Sequence, residues 1–77
     1  MADNLKMDKS FIEKVGKNVK KFREAKGLTQ IELAVDANMA SSTIGMIETA
    51  KNDMTISKIN SIANALGIEA YMLLKID

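Results

Sequence analysis

Residues 27–52 read GLTQIELAVDANMASSTIGMIETAKN, and the fold follows from them. Thr29-Gln30-Ile31-Glu32 is a capping box: the threonine hydroxyl accepts from the backbone N–H of Glu32, and the Glu32 carboxylate accepts from the Thr29 N–H. Gly27 just ahead suits the end of a preceding helix, because it takes positive φ without a Cβ clash. The apolar pattern Ile31, Leu33, Ala34, Ala37 breaks at Asn38, the non-glycine residue type that best tolerates a left-handed turn, and Met39 follows as an apolar plug. A second helix then turns Ile44 and Ile47 inward and leaves Ser41, Ser42, Thr43, Gly45, Met46 and Thr49 for its outer face. Two short helices joined by a tight turn, the second displaying small polar side chains, make a helix-turn-helix, a design that enters a DNA major groove.

Upstream, Ser10-Phe11-Ile12-Glu13 reads as another capping box and predicts a helix start near Ser10, with Asp8 adding negative charge at the positive helix end. Ile12, Val15, Val19 and Phe22 form one apolar stripe at spacings of three and four. Gly16 within it either costs about 1 kcal/mol relative to alanine, if exposed, or permits close packing. The helix ends at Lys26-Gly27, with Leu28 folding back. Residues 1–7 are polar and aperiodic, so a flexible N-terminus is expected ahead of a single domain over 8–77. Downstream, Lys51–Met54 is a loop and Thr55 the N-cap of a fourth helix. Its stripe is Ile56, Ile59, Ile62, Ala63 and Leu66, and Gly67 ends it. A short fifth helix follows near Ala70–Leu74, with Leu73 inward. The expected fold class is all-α, five helices around one core.

Composition narrows the chemistry. The 77 residues suffice for one domain, and 47% apolar content without proline suits a helical bundle. With no cysteine and no histidine, there is no disulfide framework, no thiolate metal site and no imidazole base. No phosphate-binding glycine loop is present either. An enzyme is not expected, nor is any cofactor or metal. The N-terminus lacks the apolar core of a signal peptide and no apolar run approaches membrane-spanning length, so a soluble, cytoplasmic protein is expected. The net charge of +1 hides an asymmetry. Residues 1–28 hold eight basic and four acidic residues, whereas residues 29–77 hold three and six. The basic excess lies on the first helix, as a solvated face or as a track for a phosphate backbone.

Several separated residues together resemble the Cro and phage-repressor (Xre-like) helix-turn-helix family across about residues 14–74. They are Val19 and Arg23, G-L-T-Q-x-E-L-A at 27–34, Ile44-x-x-Ile47-Glu48, and I-x-x-I-A-x-A-L-G-I at 59–68. Its size and the stretch K-N-D-M-T-I-S-K-I make the chain most similar to the small controller proteins of restriction–modification systems. The resemblance implies a five-helix lambda-repressor-like DNA-binding bundle with its helix-turn-helix at about 30–49. It also implies a transcriptional regulator that binds double-stranded DNA through a recognition helix at about 41–49.

Residue roles follow from the same resemblance. Base reading falls to Ser41, Ser42, Thr43 and Met46, with Thr49 one turn on; Met46 serves a thymine methyl or fills the core. Gln30, at the free N–H end of the second helix, contacts the DNA backbone and in some similar repressors a base. Lys51, Asn52, Thr55 and Lys58 flank the groove as phosphate contacts, and Arg23 and Glu48 form a structural ion pair. Two departures stand out. Ala40 occupies the place of a capping serine or threonine, so the recognition helix starts one residue later or is weakly capped. Glu48-Thr49-Ala50 replaces Glu-Arg-Gly, removing an arginine contact and an easy left-handed exit. Met72, Leu74 and Ile76 are surplus to so small a core, and they are the expected interface of a homodimer on a palindromic operator. The alternative is an antitoxin-type module that holds a protein partner and represses its own operon.

Overall fold

Asp8, rather than Ser10, starts the first helix: its carboxylate accepts from the Phe11 N–H at 3.2 Å, so helix α1 spans Lys9–Ala25. Ser10 therefore lies within the helix and the expected Ser10–Glu13 box does not form, because the acidic residue two positions earlier reaches the same free N–H groups. In the computed structural model of the chain, residues 8–76 are described; the expectation of a flexible segment at 1–7 lies outside them, as does residue 77. After α1 come α2 (Gln30–Ala37), α3 (Ser41–Glu48), α4 (Ile56–Leu66) and α5 (Ala70–Leu74). Among the described residues there are no strands.

The turns form as their residue types dictate. Both halves of the Thr29–Glu32 box are made, at 3.1 and 2.8 Å. Asn38 takes φ 59°, and the Met39 N–H returns to the Ala34 carbonyl, closing α2 in a left-handed turn. Gly27 and Gly67 end α1 and α4 in the same way, with φ 78° and 71°. Thr55 caps α4 by accepting from the Lys58 N–H at 3.1 Å.

One core joins the five helices. Val15 and Val19 of α1 meet Leu33, Ala34 and Ala37 of α2, Ile44 and Ile47 of α3, the α4 stripe from Ile59, and Leu73 of α5. The α4 stripe is shorter than its pattern indicated: Ile56 is 87% exposed, because the first residue of the helix projects beyond the packed face. Ile31 is also turned outward, about 200° around α2 from Leu33 at roughly 100° per residue. Phe22, Leu28 and Met39 pack at the edge of the core. Asn18 adds a tie that the sequence did not advertise. Its side-chain amide donates to the carbonyls of Leu73 at 2.9 Å and Lys75 at 3.0 Å, fastening the end of α5 to α1.

Gly16 is a close-packing glycine, and it sets how near α3 lies to α1. A Cβ at this position would run into the Ile47 carbonyl oxygen and press on that of Glu48. The exit from α3 is harder to form. Ala50 stands at φ 57° while nearly buried, so that the Lys51 N–H can reach the Met46 carbonyl at 2.8 Å. A Cβ in the left-handed region costs about 1–2 kcal/mol.

Opposite outcomes follow at these two positions. Ala50→Gly removes the strained Cβ and should raise stability by about 1 kcal/mol after glycine's own entropic cost. Gly16→Ala should lower it by about 1–3 kcal/mol through overpacking of the α1–α3 contact, although alanine favours helix. Thermal and urea unfolding of the two variants would measure both.

Candidate nucleic-acid interface

Helix α3 owes its placement to other helices. Its N-cap is Ala40, which offers no side-chain acceptor, so the helix opens at Ser41 without the usual cap. Of the two expected outcomes at Ala40, a later start or a weak cap, the helix shows the weak cap, and it spans Ser41–Glu48. Ile44 and Ile47 anchor one side in the core. At the far end Glu48 is tied down by three donors.

Arg23 of α1 is the principal partner. Its Nε donates to Glu48 Oε2 at 2.7 Å and a terminal nitrogen donates to Oε1 at 3.1 Å, a two-pronged pair with side-chain exposures of 10% and 2%. The other terminal nitrogen donates to the Leu28 carbonyl at 2.7 Å. The hydrogen bond to Glu48 raises the guanidinium pKa further above its ordinary value, against the opposing effect of burial. The expected structural ion pair is therefore present in the geometry. The third donor was not anticipated: Gln30 Nε2 donates to Glu48 Oε1 at 3.1 Å, joining the start of α2 to the end of α3.

The outward strip of α3 carries Ser42, Gly45, Met46 and Thr49, related by i, i+3, i+4 and i+7. Ser41 and Ser42 are exposed, whereas Thr43 is half-buried on the flank. Met46 is 38% exposed, so of its two readings the core-filling one does not hold. The Thr49 hydroxyl donates to the Gly45 carbonyl at 2.8 Å, which leaves it only acceptor capacity. Lys51 and Asn52 follow at the surface, with Asn52 Nδ2 3.9 Å from the Met46 sulfur. Lys58 is exposed one turn into α4. Glu13 and Lys17 of α1 line a shallow cleft with Glu48, Thr49 and Ala50, so a glutamate and a lysine of the first helix both reach the end of α3.

The expected dimer residues occupy a separate edge. Leu74 is exposed, Met72 is half-buried, and Ile76 packs against the core. Tyr71, which the sequence reading passed over, is exposed on the same short helix. Among the described residues, no group of three or more acidic, histidine or cysteine side chains is placed to hold a metal ion. No described helix is long and apolar enough to cross a membrane.

The ion pair generates a stability prediction. Glu48→Ala alone strands the Arg23 charge and should cost about 3–5 kcal/mol, whereas the double change Arg23→Met with Glu48→Leu should recover most of it. Chemical denaturation of the wild type, the Glu48→Ala variant and the double variant would measure the difference.

The chain is similar to proteins named as a repressor, a controller protein and a regulator. The immunity repressor protein of Bacillus phage phi105 is 36% identical over 55 residues, covering 71% of this chain and 38% of the repressor. The restriction-modification controller protein C.AhdI from Aeromonas hydrophila superposes with TM-score 0.81 at 31% identity, covering 83% of this chain and 97% of that one. SinR, a master regulator for biofilm formation solved in complex with DNA, gives TM-score 0.76 at 27% identity over 79% of this chain and 98% of that one. The chain spans between 38% and 54% of the length of the curated relatives it matches. The helix-turn-helix family matches residues 19–73, which contain both helices of the motif, α4 and the end of α1 that carries Arg23, and the chain belongs to that family.

Proposed function

We propose that this protein is a sequence-specific DNA-binding transcriptional regulator of the cytoplasm, acting as a homodimer on a palindromic operator. The observation that carries the reading is α3 itself. It presents an outward strip of small polar side chains and is held at its end by a buried ion pair to α1. A helix so fixed can enter a major groove without paying to order itself. Ser41, Ser42, Thr43, Met46 and Thr49 face the base edges in this reading. Hydroxyl groups discriminate bases weakly, so part of the selectivity comes from water-mediated contacts and DNA shape.

Phosphate contacts come from Lys51 and Asn52 after α3 and from the start of α4, where Thr55 and Lys58 stand. A single small domain buries little surface on DNA, so a two-fold pair is needed, with recognition helices about 34–36 Å apart on successive turns. Leu74 and Met72, together with Ile76, form the joining edge. The relatives support the DNA-binding and regulatory part of this reading: one is an immunity repressor, one a controller protein, and one was solved on DNA.

An antitoxin-type module is the second reading. It draws on two exposed apolar residues of α2, Ile31 and Val35, which lie one helical turn apart.

Binding to the protein's own upstream region, competed with random duplex across a salt series, tests the proposal. The expected result is a preference of about 10³-fold or more for one palindromic site, with affinity rising as dimers form. Lys51→Ala should weaken binding to all sequences alike and reduce the log–log salt slope by about 1. Weak, equal binding to both duplexes that vanishes near physiological salt would overturn the proposal and favour a protein partner.

A further inference from the structure

The outward strip of α3 carries one readily oxidised side chain. The protein has no cysteine, histidine or tryptophan, so the thioether of methionine is its softest group toward an oxidant. Four methionines lie among the described residues. Met39 and Met54 pack against the core and Met72 is half-buried, whereas Met46 is exposed. Met46 is also the one large apolar side chain that α3 turns outward, in the middle of the strip of hydroxyl groups.

A second group stands at its sulfur. Asn52, in the loop after α3, places Nδ2 3.9 Å from Met46 Sδ, and its side-chain amide has no other partner among the described residues. That interval exceeds the ordinary span from an N–H nitrogen to an oxygen acceptor, about 2.7–3.2 Å. A thioether sulfur accepts only weakly. An oxygen carried on that sulfur, on the side of the amide, fills the interval and accepts a full hydrogen bond. Oxidation makes the methionine side chain polar, and here a donor already stands where the new oxygen would need one.

We propose that Met46 is an oxidation site that switches off the DNA-reading face, with a hydroperoxide as oxidant and the Asn52 amide holding the product. The inference rests on the DNA-binding function proposed above. The Met46 sulfur gives an electron pair to one peroxide oxygen, and the S–O bond forms as the O–O bond breaks. Sulfur is oxidised by two electrons and the peroxide is reduced. The proton of the transferred hydroxyl leaves with the other oxygen, as water from hydrogen peroxide or as an alcohol from an organic hydroperoxide. Two DNA contacts are lost together. A polar oxygen replaces the apolar surface that would meet a thymine methyl, and Asn52 turns from the phosphate strand to the sulfoxide.

Treatment of the full chain and of Met46→Leu with hydrogen peroxide tests the proposal, each protein being compared with its own untreated state. Peptide mapping by mass spectrometry should find oxygen on Met46 before Met39, Met54 or Met72. The probe for binding is the duplex that untreated wild type selects from a randomised pool. Oxidised wild type should bind it about tenfold more weakly or worse, the cost of one spoiled base contact. A methionine sulfoxide reductase should restore the affinity. Met46→Leu should keep its own untreated affinity through the same treatment. The Asn52 side-chain amide resonance should shift on oxidation of wild type, while circular dichroism stays unchanged. Earlier oxidation of the packed methionines, an equal loss of binding in Met46→Leu, an unmoved Asn52 resonance, or full affinity in the Met46 sulfoxide would each overturn the switch and leave DNA reading standing. An untreated wild type that prefers no duplex overturns the switch and the proposed function together.

Discussion

The pairing of Arg23 with Glu48 is the constraint on which the placement of α3 depends. An eight-residue helix has too few internal hydrogen bonds to offset its nucleation cost, and this one opens on an alanine with no side-chain cap. Its geometry must come from outside. Two isoleucines hold one side in the core, and the close approach over Gly16 sets the distance to α1. The ion pair then fixes the far end against rotation. Such a pair adds little net stability over an apolar substitute, since both charges were drawn out of water. Its contribution is orientation: a guanidinium plane against a carboxylate plane admits one arrangement, where packed methyl groups admit several.

Orientation at Glu48 also reaches α2. Glu48 Oε1 accepts from both Arg23 and Gln30, so α1, α2 and α3 meet at one carboxylate. The helices of the motif are therefore coupled through a shared polar atom as well as through the turn at Asn38. Removing that carboxylate disturbs the shape of the outward surface and the stability of the domain at once.

Much of this was legible in the sequence, for physical reasons that differ by element. The α2 cap was readable because threonine and glutamate three residues apart have few other local options. The turns at Gly27, Asn38 and Gly67 were readable because few residues tolerate positive φ. The Arg23–Glu48 pair was accessible only through family resemblance: nothing local joins residues 25 apart in sequence. Reading by local pattern failed where two caps competed, at Asp8 and Ser10, and where an apolar residue fell at the rim of a stripe, at Ile56 and Ile31. Asn18 carried no signal in the sequence, and Gln30 was legible only as a contact to the DNA backbone at the start of α2. Their partners, at the end of α5 and the end of α3, are set by tertiary packing and leave no periodic trace.

The unsupported start of α3 at Ala40 and its strained exit at Ala50 have a consequence for modularity. A helix that supplied its own caps could be transplanted between scaffolds, carrying its surface with it. Here residues 41–48 encode the surface but not the shape. The shape resides in α1, the start of α2, the turn at Ala50 and the shared core, so the surface moves only with the helices that brace it.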